Sequence, residues 1–359
     1  MIKVLFITNL PAPYKIDFLN NLGKKVNLTV IFERSSALNR NKRWFDDSQQ
    51  FKHFEAIQLA GFSIGNENSA DLGIVNHLRK NRYDVVLING YSSYSEIAAI
   101  CYLKKHKRRF AIICDGIILK NEMCFKRNIK RHLISSADYW LSPNTITDLS
   151  LKKNGAVSER IYRYPFSSIS EAELAEVPYN RNYYKSIIGC NSKYMILYVG
   201  QMIHRKGVDV LIDSVKQLNM DYQLYLVGDK TSLGLQNDRI KNIDFLSKQE
   251  LKNYYMAADV SILPSREDIW GLVINEALSL GTPVIASDQC GAALEMIQEK
   301  ENGLIVPACR TDLLKKAIET VLQDREPEHY MRQATETAKQ YTIEAMSSAV
   351  YKAVQMNEN

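Results

Sequence analysis

Short apolar runs rich in Val, Ile and Tyr alternate with amphipathic helical patterns along most of this chain. This alternation is typical of parallel α/β architecture, in which buried strands are connected by helices that cover the sheet. In the first half the runs predict strands at 2–8, 26–33, 54–59, 84–89, 109–114, 138–142 and 160–164. In the second half they predict strands at 194–200, 223–228, 242–246, 259–264, 283–287 and 303–306. The pattern therefore predicts an α/β fold with two doubly wound, Rossmann-like sheets.

The alternation breaks down over residues 166–192, where a Ser-rich stretch, Pro178 and a run of Asn, Arg and Tyr follow one another without a lasting period. We interpret this segment as a linker between a first domain of residues 1–165 and a second domain of residues 193–341. The length of 359 residues agrees with two domains, because single domains hold roughly 150 residues. Two domains imply a cleft between them.

Charge is distributed unevenly along a chain that is otherwise of ordinary globular composition, with 46% hydrophobic and 24% charged residues. Residues 1–164 hold 26 Lys and Arg against 14 Asp and Glu, a net +12, whereas residues 165–359 hold 20 against 26, a net −6. The cations concentrate at 104–109 and 120–131. Such a surface suits an anionic membrane, a phosphorylated acceptor or nucleic acid, and the alternative is an ordinary solvated helix face.

The sequence predicts neither an N-terminal targeting segment nor a set of disulfide bonds. The first 14 residues carry one Lys, a short apolar run and two prolines, so they predict a first β-strand rather than a signal peptide or a membrane span. The six cysteines are scattered and form no C-x-x-C pair. We expect reduced thiols in a cytosolic protein.

The first loop with candidate chemistry follows the predicted strand 194–200 and runs from Gly200 to Gly207. It places Arg205 and Lys206 at or just before the start of a helix. Two cations there oppose the helix dipole, but together with exposed backbone N–H groups they make an anion site. A bound diphosphate would explain the unfavourable placement.

The second loop follows the predicted strand 259–264 and leads into a helix that a glycine ends at Gly281. It contains Asp268, and the helix contains Glu276 within an otherwise apolar stretch. A carboxylate is costly to bury there unless it is hydrogen-bonded, and the two hydroxyl groups of a ribose would satisfy it. Asp268 would accept hydrogen bonds from a transferred sugar. The N–H groups that would face the phosphates are those of Gly271, Leu272 and Val273.

Taken together, these segments form a G-x₅-KG loop, an acidic-x₇-Glu segment and a G-x-P-V-I-A segment, which match Gly200 to Gly207, Asp268 to Ala277 and Gly281 to Ala286. In order and spacing they resemble retaining glycosyltransferase family 4. The resemblance implies the GT-B fold, with two Rossmann-like domains facing a central cleft. It also implies that Lys206, with Arg205, binds the diphosphate, that Asp268 binds the donor sugar, and that Glu276 binds the ribose.

Two positions depart from the family pattern. Gln201 stands where the family often has Arg after the first glycine, so Arg205 would carry that charge instead. The first acid of the family is usually Glu, whereas here Glu267 lies one residue before Asp268. Either carboxylate would therefore reach the sugar.

The first half resembles the same family more loosely. Its opening segment from Asn9 through Pro13 to Tyr14, together with Arg43-Trp44, looks like a branch that builds surface polysaccharides, and these loops would belong to the acceptor side. The alternative is a rigid proline turn without ligand contact. Asp115 ends the predicted strand 109–114, where it would orient an acceptor hydroxyl, stabilise positive charge on the sugar, or cap the next helix.

The expected function follows from this resemblance. A hexose or N-acetylhexosamine would pass from a UDP- or GDP-linked donor to a glycan or lipid-linked saccharide in capsule or lipopolysaccharide synthesis. We expect no cofactor and no metal, because no convincing DxD strand-end motif is present. We expect the protein on the cytoplasmic face of the inner membrane, and the resemblance implies that a final helix at 342–356 packs back on the first domain.

Other function classes fit the sequence less well. A nucleotide-sugar epimerase on the same fold remains an alternative, since a fold does not define a reaction. A dehydrogenase is disfavoured because no G-x-G-x-x-G follows the first strand. A nucleic-acid-binding protein is disfavoured because the basic residues are not interleaved with base-stacking aromatic residues.

Overall fold

Two compact units make up the chain. The computed structural model describes residues 1–34, 50–59, 62–64, 68–70, 73–117, 124–228, 237–324 and 326–357. By their internal contacts, residues 1–166 and 343–359 form the first unit, and residues 167–342 form the second. Each unit is built around its own parallel sheet.

The first unit contains a sheet of seven strands among its described residues, ordered β3-β2-β1-β6-β7-β8-β9, and every pairing is parallel. A short antiparallel hairpin of β4 and β5 stands apart from it. The strands are β1 (Lys3–Thr8), β2 (Asn27–Phe32), β3 (Glu55–Gln58), β4 (Phe62–Ile64), β5 (Asn68–Ala70), β6 (Val85–Asn89), β7 (Phe110–Ile113), β8 (Tyr139–Ser142) and β9 (Ile161–Arg163). The central strands are buried almost without interruption, as expected for a sheet covered on both faces.

Helices connect these strands, and local sequence explains where several of them begin. They are α1 (Pro13–Gly23), α2 (Gly73–Lys80), α3 (Tyr94–Lys105), α4 (Cys124–Ile134) and α5 (Thr145–Lys153). Helix α1 has a proline at its first position, where a missing N–H costs nothing. Helix α3 starts with a capping box, in which the Ser93 hydroxyl accepts from the Glu96 N–H while the Glu96 carboxylate accepts from the Ser93 N–H.

The second unit repeats this architecture with six parallel strands in its described part, ordered β12-β11-β10-β13-β14-β15. The strands are β10 (Tyr194–Gly200), β11 (Tyr222–Gly228), β12 (Ile240–Ile243), β13 (Val260–Leu263), β14 (Val284–Ser287) and β15 (Gly303–Val306). The helices are α6 (Arg181–Ile187), α7 (Val208–Val215), α8 (Lys248–Ala257), α9 (Leu272–Ser279), α10 (Gly291–Met296), α11 (Thr311–Leu322) and α12 (Pro327–Ala338). The apolar stripe of α7, including Leu211 and Val215, packs on buried residues of this sheet such as Leu224.

Residues 167–192, which the sequence suggested as a linker, are part of the second unit in the structure. The Tyr179 hydroxyl donates to the Leu280 carbonyl at 2.6 Å, and the Lys185 ammonium lies 2.6 Å from the Asp259 carboxylate. Helix α6 lies within this segment and packs against α8. Such polar anchors leave no periodic apolar pattern, which explains why the sequence indicated a connection instead.

The last helix, α13 (Ile343–Met356), belongs to the first unit. It buries one face that includes Met346 and Val350, and it packs against α1. The Ser347 hydroxyl donates to the Asn21 side-chain oxygen at 2.9 Å. Helix α13 is therefore part of the first unit, although it follows the second unit in sequence.

The predicted strands all occur in the structure with bounds shifted by no more than three residues. The largest shift concerns 242–246, because β12 begins at Ile240, which pairs with Leu224 of β11. The hairpin of β4 and β5 was not predicted. The predicted fold class is confirmed: both sheets are parallel and Rossmann-like, with chain order reversing between β1 and β6 in one and between β10 and β13 in the other. Among the described helices, none is both long enough and apolar enough to span a bilayer.

Candidate active site

The two candidate loops of the second unit follow β10 and β13, the neighbouring strands between which the chain order reverses. In open parallel sheets this reversal opens a crevice at the carboxyl ends of the strands, and ligands bind there. The loop after β10 makes one 3₁₀ turn, His204–Lys206, before α7 begins. Arg205 and Lys206 thus directly precede a helix, at the edge where ligand binding is expected.

Asp268 lies in the second loop and faces both cations of the first. Its carboxylate is 2.5 Å from the Lys206 ammonium and 3.8 Å from the Arg205 guanidinium. The Asp268 and Lys206 side chains keep only 11% and 15% of their surface exposed, whereas Arg205 keeps 42%. A close, largely buried pair of this kind presents a fixed arrangement of charge to a ligand.

Backbone contacts hold the two loops together. The Arg205 guanidinium donates to the Glu267 carbonyl at 2.9 Å, and the Arg266 N–H donates to the Arg205 carbonyl at 2.8 Å. The Arg266 guanidinium also makes two hydrogen bonds, at 2.7 and 2.6 Å, to the Asp209 carboxylate at the start of α7. These bonds depress the pKa of Asp209 below its ordinary value. Glu267 therefore contributes its carbonyl to the loop contact, while Asp268 contributes its carboxylate.

Gly207 permits this approach, and Gly271 permits a similarly close approach to the loop after β14. Gly207 has φ of 68°, and a β-carbon there would lie 2.1 Å from the Pro264 carbonyl oxygen. Gly271 has φ of 100°, and a β-carbon there would lie 2.6 Å from the Cys290 sulfur. Any larger residue would push the loops apart or strain the backbone. The motif glycines thus have a steric reason.

Helix α9 starts immediately after Gly271, so Leu272 and Val273 form its first turn. Amide groups of a first helical turn have no acceptor within the helix and point towards the N-terminal end, which favours anions. The helix ends at Ser279, and Gly281 follows in a left-handed conformation with φ of 71°. This glycine stop agrees with the sequence interpretation.

Glu276 lies in α9 and has a protein partner that the sequence did not reveal. The hydroxyl of Tyr255, from α8, donates to its carboxylate at 2.9 Å. Burial raises the pKa of Glu276, while the Tyr255 hydrogen bond and the Lys248 ammonium act in the opposite direction. Burial and the neighbouring carboxylate also raise the pKa of Tyr255 well above its ordinary value. One carboxylate oxygen is thus bonded inside the protein, and the side chain retains partial exposure.

Beside the equivalent reversal point of the first sheet lies Asp115, two residues after the end of β7. Its carboxylate accepts from the Asn89 side-chain amide at 2.9 Å and lies 3.3 Å from the Lys15 ammonium. The described contacts of Asp115 are with β6 and α1, and its carboxylate also interacts with the Tyr164 hydroxyl. Asn89 and Lys15 were missed by the sequence reasoning, although a lysine in the first turn of α1 carries the same signal that singled out Lys206.

The other residues of the first unit that the sequence singled out are Asn9, Pro13 and Tyr14. Asn9 is exposed, and its side chain accepts from the Leu10 N–H at 2.8 Å. Pro13 opens α1, and the Tyr14 ring packs edge-on against Phe166 with centroids 5.6 Å apart. Arg43-Trp44 lies outside the described residues. The proline turn thus leads directly into α1.

Gly200 and Gln201 complete the first donor-side loop. Gly200 ends β10, and the Gln201 carbonyl accepts from the Tyr198 hydroxyl at 2.7 Å. Across the described part of the chain, no cluster of three or more His, Cys, Asp or Glu side chains is arranged to hold a metal ion.

The segment that contains both candidate loops is similar to known proteins. Residues 185–338 match the family model of the group 1 glycosyl transferases. The chain is 25% identical over 231 residues to an α-D-kanosaminyltransferase of Streptomyces kanamyceticus, an alignment that covers 60% of each protein. The chain thus spans less than two thirds of that relative. The family description and the name of this relative both refer to glycosyl transfer.

Solved structures show the fold of the whole chain. Anabaena HepE in complex with UDP superimposes with a TM-score of 0.80 at 15% identity, covering 99% of this chain and all of that one. A lipopolysaccharide outer core galactosyltransferase, WaaB, superimposes with a TM-score of 0.71 at 19% identity, over 99% of both chains. The chain therefore has the GT-B fold of these solved structures, and residues 185–338 match the group 1 glycosyl transferase family model.

Proposed function

We propose that this protein is a glycosyltransferase that moves a hexose or N-acetylhexosamine from a UDP- or GDP-linked donor to a glycan or lipid-linked acceptor in cell-surface polysaccharide synthesis. The observation that carries the proposal is the meeting of Lys206, Arg205 and Asp268 at the reversal point of the second sheet. Names of similar proteins, which include a lipopolysaccharide galactosyltransferase and a UDP complex, support the donor class and the setting.

Each group has a task in this reaction. The leaving diphosphate gains negative charge as its bond to the anomeric carbon breaks, so Lys206, Arg205 and the first turn of α9 stabilise it electrostatically. Asp268 accepts hydrogen bonds from the hydroxyls of the donor sugar. Glu276, held on one side by Tyr255, accepts from the ribose. The diphosphate competes with Asp268 for the Lys206 ammonium, and this frees the carboxylate for the sugar.

We propose that the transfer retains anomeric configuration and needs no metal. The acceptor oxygen bonds to the anomeric carbon on the face from which the diphosphate departs, and the acceptor proton passes to a leaving phosphate oxygen. No covalent protein nucleophile takes part. The positive side chains supply the charge that a divalent ion would otherwise supply.

The donor site is tested by calorimetry and thermal shift with UDP-, GDP-, CMP- and dTDP-sugars in the presence of EDTA. We expect one nucleotide class to bind, and we expect Glu276→Ala to abolish that binding because a ribose contact is lost. Glu299→Ala, a carboxylate elsewhere in the same unit, is the matched control. Absence of binding to every nucleotide sugar would refute the donor site, and binding followed by isomerisation of the sugar would favour the epimerase.

The membrane part of the proposal rests on helix α4. Phe125 and Ile129, one helical turn apart, are 73% and 43% exposed. The cations on the same helix are Lys126, Arg127, Lys130 and Arg131. Exposed apolar side chains flanked by cations are typical of helices that lie in the headgroup region of an anionic bilayer. We infer that the protein works at the cytoplasmic membrane face, where lipid-linked acceptors would be.

Flotation with phosphatidylglycerol vesicles at low salt tests this placement. We expect the wild type to float, and we expect Phe125→Ser/Ile129→Ser and added salt to prevent it, since salt screens exposed charges. Leu149→Ser in α5, where Leu149 is 56% exposed, is the control. A wild type that stays at the bottom of the gradient would rule the membrane part out.

A further inference from the structure

The reversal point of the first sheet contains a buried lysine that the donor chemistry leaves without a role. Lys15 lies in the first turn of α1 and is 5% exposed. Its ammonium lies 3.0 Å from the Thr8 hydroxyl and 3.3 Å from the Asp115 carboxylate, and it also bonds the Asn89 side-chain oxygen. Thr8 ends β1, Asn89 ends β6 and Asp115 follows β7, so one cation joins the carboxyl ends of three neighbouring strands.

This placement of Lys15 is unfavourable by two general rules. A cation in the first turn of a helix opposes the helix dipole. Burial of an ammonium group also loses its hydration, and it is tolerated only when the group is paired. Burial by itself lowers the pKa of Lys15, but attraction to Asp115, and less to Tyr14 and Glu96, raises it above the ordinary value. The ammonium is therefore kept charged at a position where charge is costly.

Asp115 is the member of this group that a ligand can reach. One carboxylate oxygen accepts from the Asn89 amide at 2.9 Å, and the other faces Lys15. The Asn89 amide is itself fixed by a second bond to the Ile113 carbonyl at 3.3 Å. The Asp115 side chain nevertheless keeps 31% of its surface exposed. The Asn89 amide and the Lys15 ammonium thus each hold one carboxylate oxygen, while part of the side chain remains exposed.

We propose that Lys15 and Asn89 are positioning residues for Asp115, which accepts the hydrogen bond of the attacking acceptor hydroxyl. This inference rests on the proposed function. During transfer the hydroxyl oxygen bonds to the anomeric carbon, the bond from that carbon to the diphosphate breaks, and the proton passes to the leaving phosphate. Asp115 orients the hydroxyl and is not consumed. The acceptor class that suits a fixed, outward carboxylate is a saccharide presenting a free hydroxyl.

A double-mutant cycle tests this assignment. Transfer is measured with UDP-glucose and UDP-N-acetylglucosamine as donors and p-nitrophenyl glycosides as acceptors, using Lys15→Met, Asp115→Asn and the double variant. We expect each single change to lower the kcat of transfer at least tenfold, because a misoriented hydroxyl reacts more slowly, while donor affinity changes less than about twofold. The double variant should lose no more than Asp115→Asn alone, because Lys15 acts through Asp115.

Controls separate this from a loss of folding. Lys24→Met changes an exposed lysine at the other end of α1 and should transfer at the wild-type rate. Multiplicative losses in the double variant, or wild-type transfer by Lys15→Met, would overturn the proposal. If Lys15→Met does not fold, Asn89→Ser removes the other donor and enters the same cycle.

A crystal structure of Lys15→Met provides a readout that needs no acceptor. We expect the Asp115 carboxylate to shift by about 1 Å or more, a displacement large enough to impair orientation. An unmoved carboxylate would refute the positioning role even if no glycoside is used. Donor binding that disappears in Glu276→Ala would at the same time leave the proposed function standing, so the two failures are distinguishable.

Discussion

At the scale of single residues, the two cations of the donor loop differ in environment. Lys206 is mostly buried and touches the Asp268 carboxylate at 2.5 Å, whereas Arg205 is more exposed and 3.8 Å away from it. A preorganised cation in a partly dehydrated site stabilises a developing charge more strongly than an exposed one, because water screens it less. Lys206 should therefore carry more of the leaving-group stabilisation.

We predict that Lys206→Met lowers kcat by roughly 10²- to 10³-fold, the range found when one transition-state donor is removed. Arg205→Met should have a smaller effect. Lys216→Met, an exposed lysine just after α7, should be neutral. The measurement is steady-state release of the nucleotide. Equal losses of kcat in Lys206→Met and Arg205→Met would contradict the role that we assign to burial.

A second residue-scale feature is the buried carboxylate of Glu96, which is 3% exposed. Burial, followed by repulsion from Glu33, raises its pKa to about 7, although the N–H groups of Ser93 and Ser92 donate to it. Because the folded pKa lies above the ordinary value of 4.5, folding is favoured when Glu96 is protonated. This contribution is complete below about pH 4.5 and is lost as the pH rises to about 7.

We predict that Glu96→Gln flattens the dependence of stability on pH. Between pH 5 and pH 8 the wild type should lose up to about 3 kcal/mol of unfolding free energy from this group, at 1.36 kcal/mol per pKa unit. The variant should lose much less. Urea unfolding at several pH values measures this, with the exposed Glu159→Gln as control. If the unfolding free energies of wild type and Glu96→Gln changed in parallel with pH, titration of Glu96 would be excluded as the cause.

At the scale of elements, the donor site depends on how closely the loops after β10 and β13 approach. The close contact is at Gly207, where a β-carbon would lie 2.1 Å from the Pro264 carbonyl oxygen. Hydrogen bonds between Arg205 and the backbone of residues 266 and 267 then align the charged groups. A change that separates the loops should impair binding without altering any charge.

Gly207→Ala tests this, with Gly189→Ala as a matched control. Both glycines have a left-handed φ, of 68° and 70°, but a β-carbon at Gly189 would meet no atom within 4 Å. We predict that Gly189→Ala costs about 1 kcal/mol, the penalty of the left-handed conformation alone. Gly207→Ala should cost more and weaken donor binding. Thermal unfolding measures the loss of stability, and calorimetry measures donor binding. Equal results for Gly207→Ala and Gly189→Ala would argue against a close approach of the two loops.

At the scale of the whole molecule, the first unit is completed by residues from both ends of the chain. Helix α13 follows the second unit in sequence, yet it packs on α1 and buries Val350 completely. The Arg109 guanidinium also donates to the Asn357 carbonyl at 2.9 Å. The first unit therefore includes a helix that follows the second unit in sequence.

We predict that Val350→Ala lowers the unfolding free energy by about 2 kcal/mol, because a buried side chain is replaced by a cavity. Truncation after Thr342 should lower it further. Lys352→Ala, on the exposed side of the same helix, should have little effect. Denaturant unfolding monitors all three. An unaffected truncated protein would show that α13 does not support the first unit.

Much of the architecture followed from the sequence alone. The strands and the helix stripes could be predicted because burial imposes a period of apolar side chains on each element. The candidate residues of the donor loops could be found because cations before a helix, an acid within an apolar helix and glycines at turns are local signals. These signals singled out Lys206, Asp268 and Glu276 as candidates, together with the loops that carry them.

Tertiary structure decided which of these residues meet. The bond from Tyr255 to Glu276 and the approach of Lys206 to Asp268 join residues 21 and 62 positions apart. The group formed by Lys15, Asn89 and Asp115 spans 100 positions. Such contacts depend on strand order and register, because the carboxyl ends of neighbouring strands bring distant segments together. A sequence pattern reports which side of an element is buried, whereas the partner across the sheet edge is set only when the chain has folded.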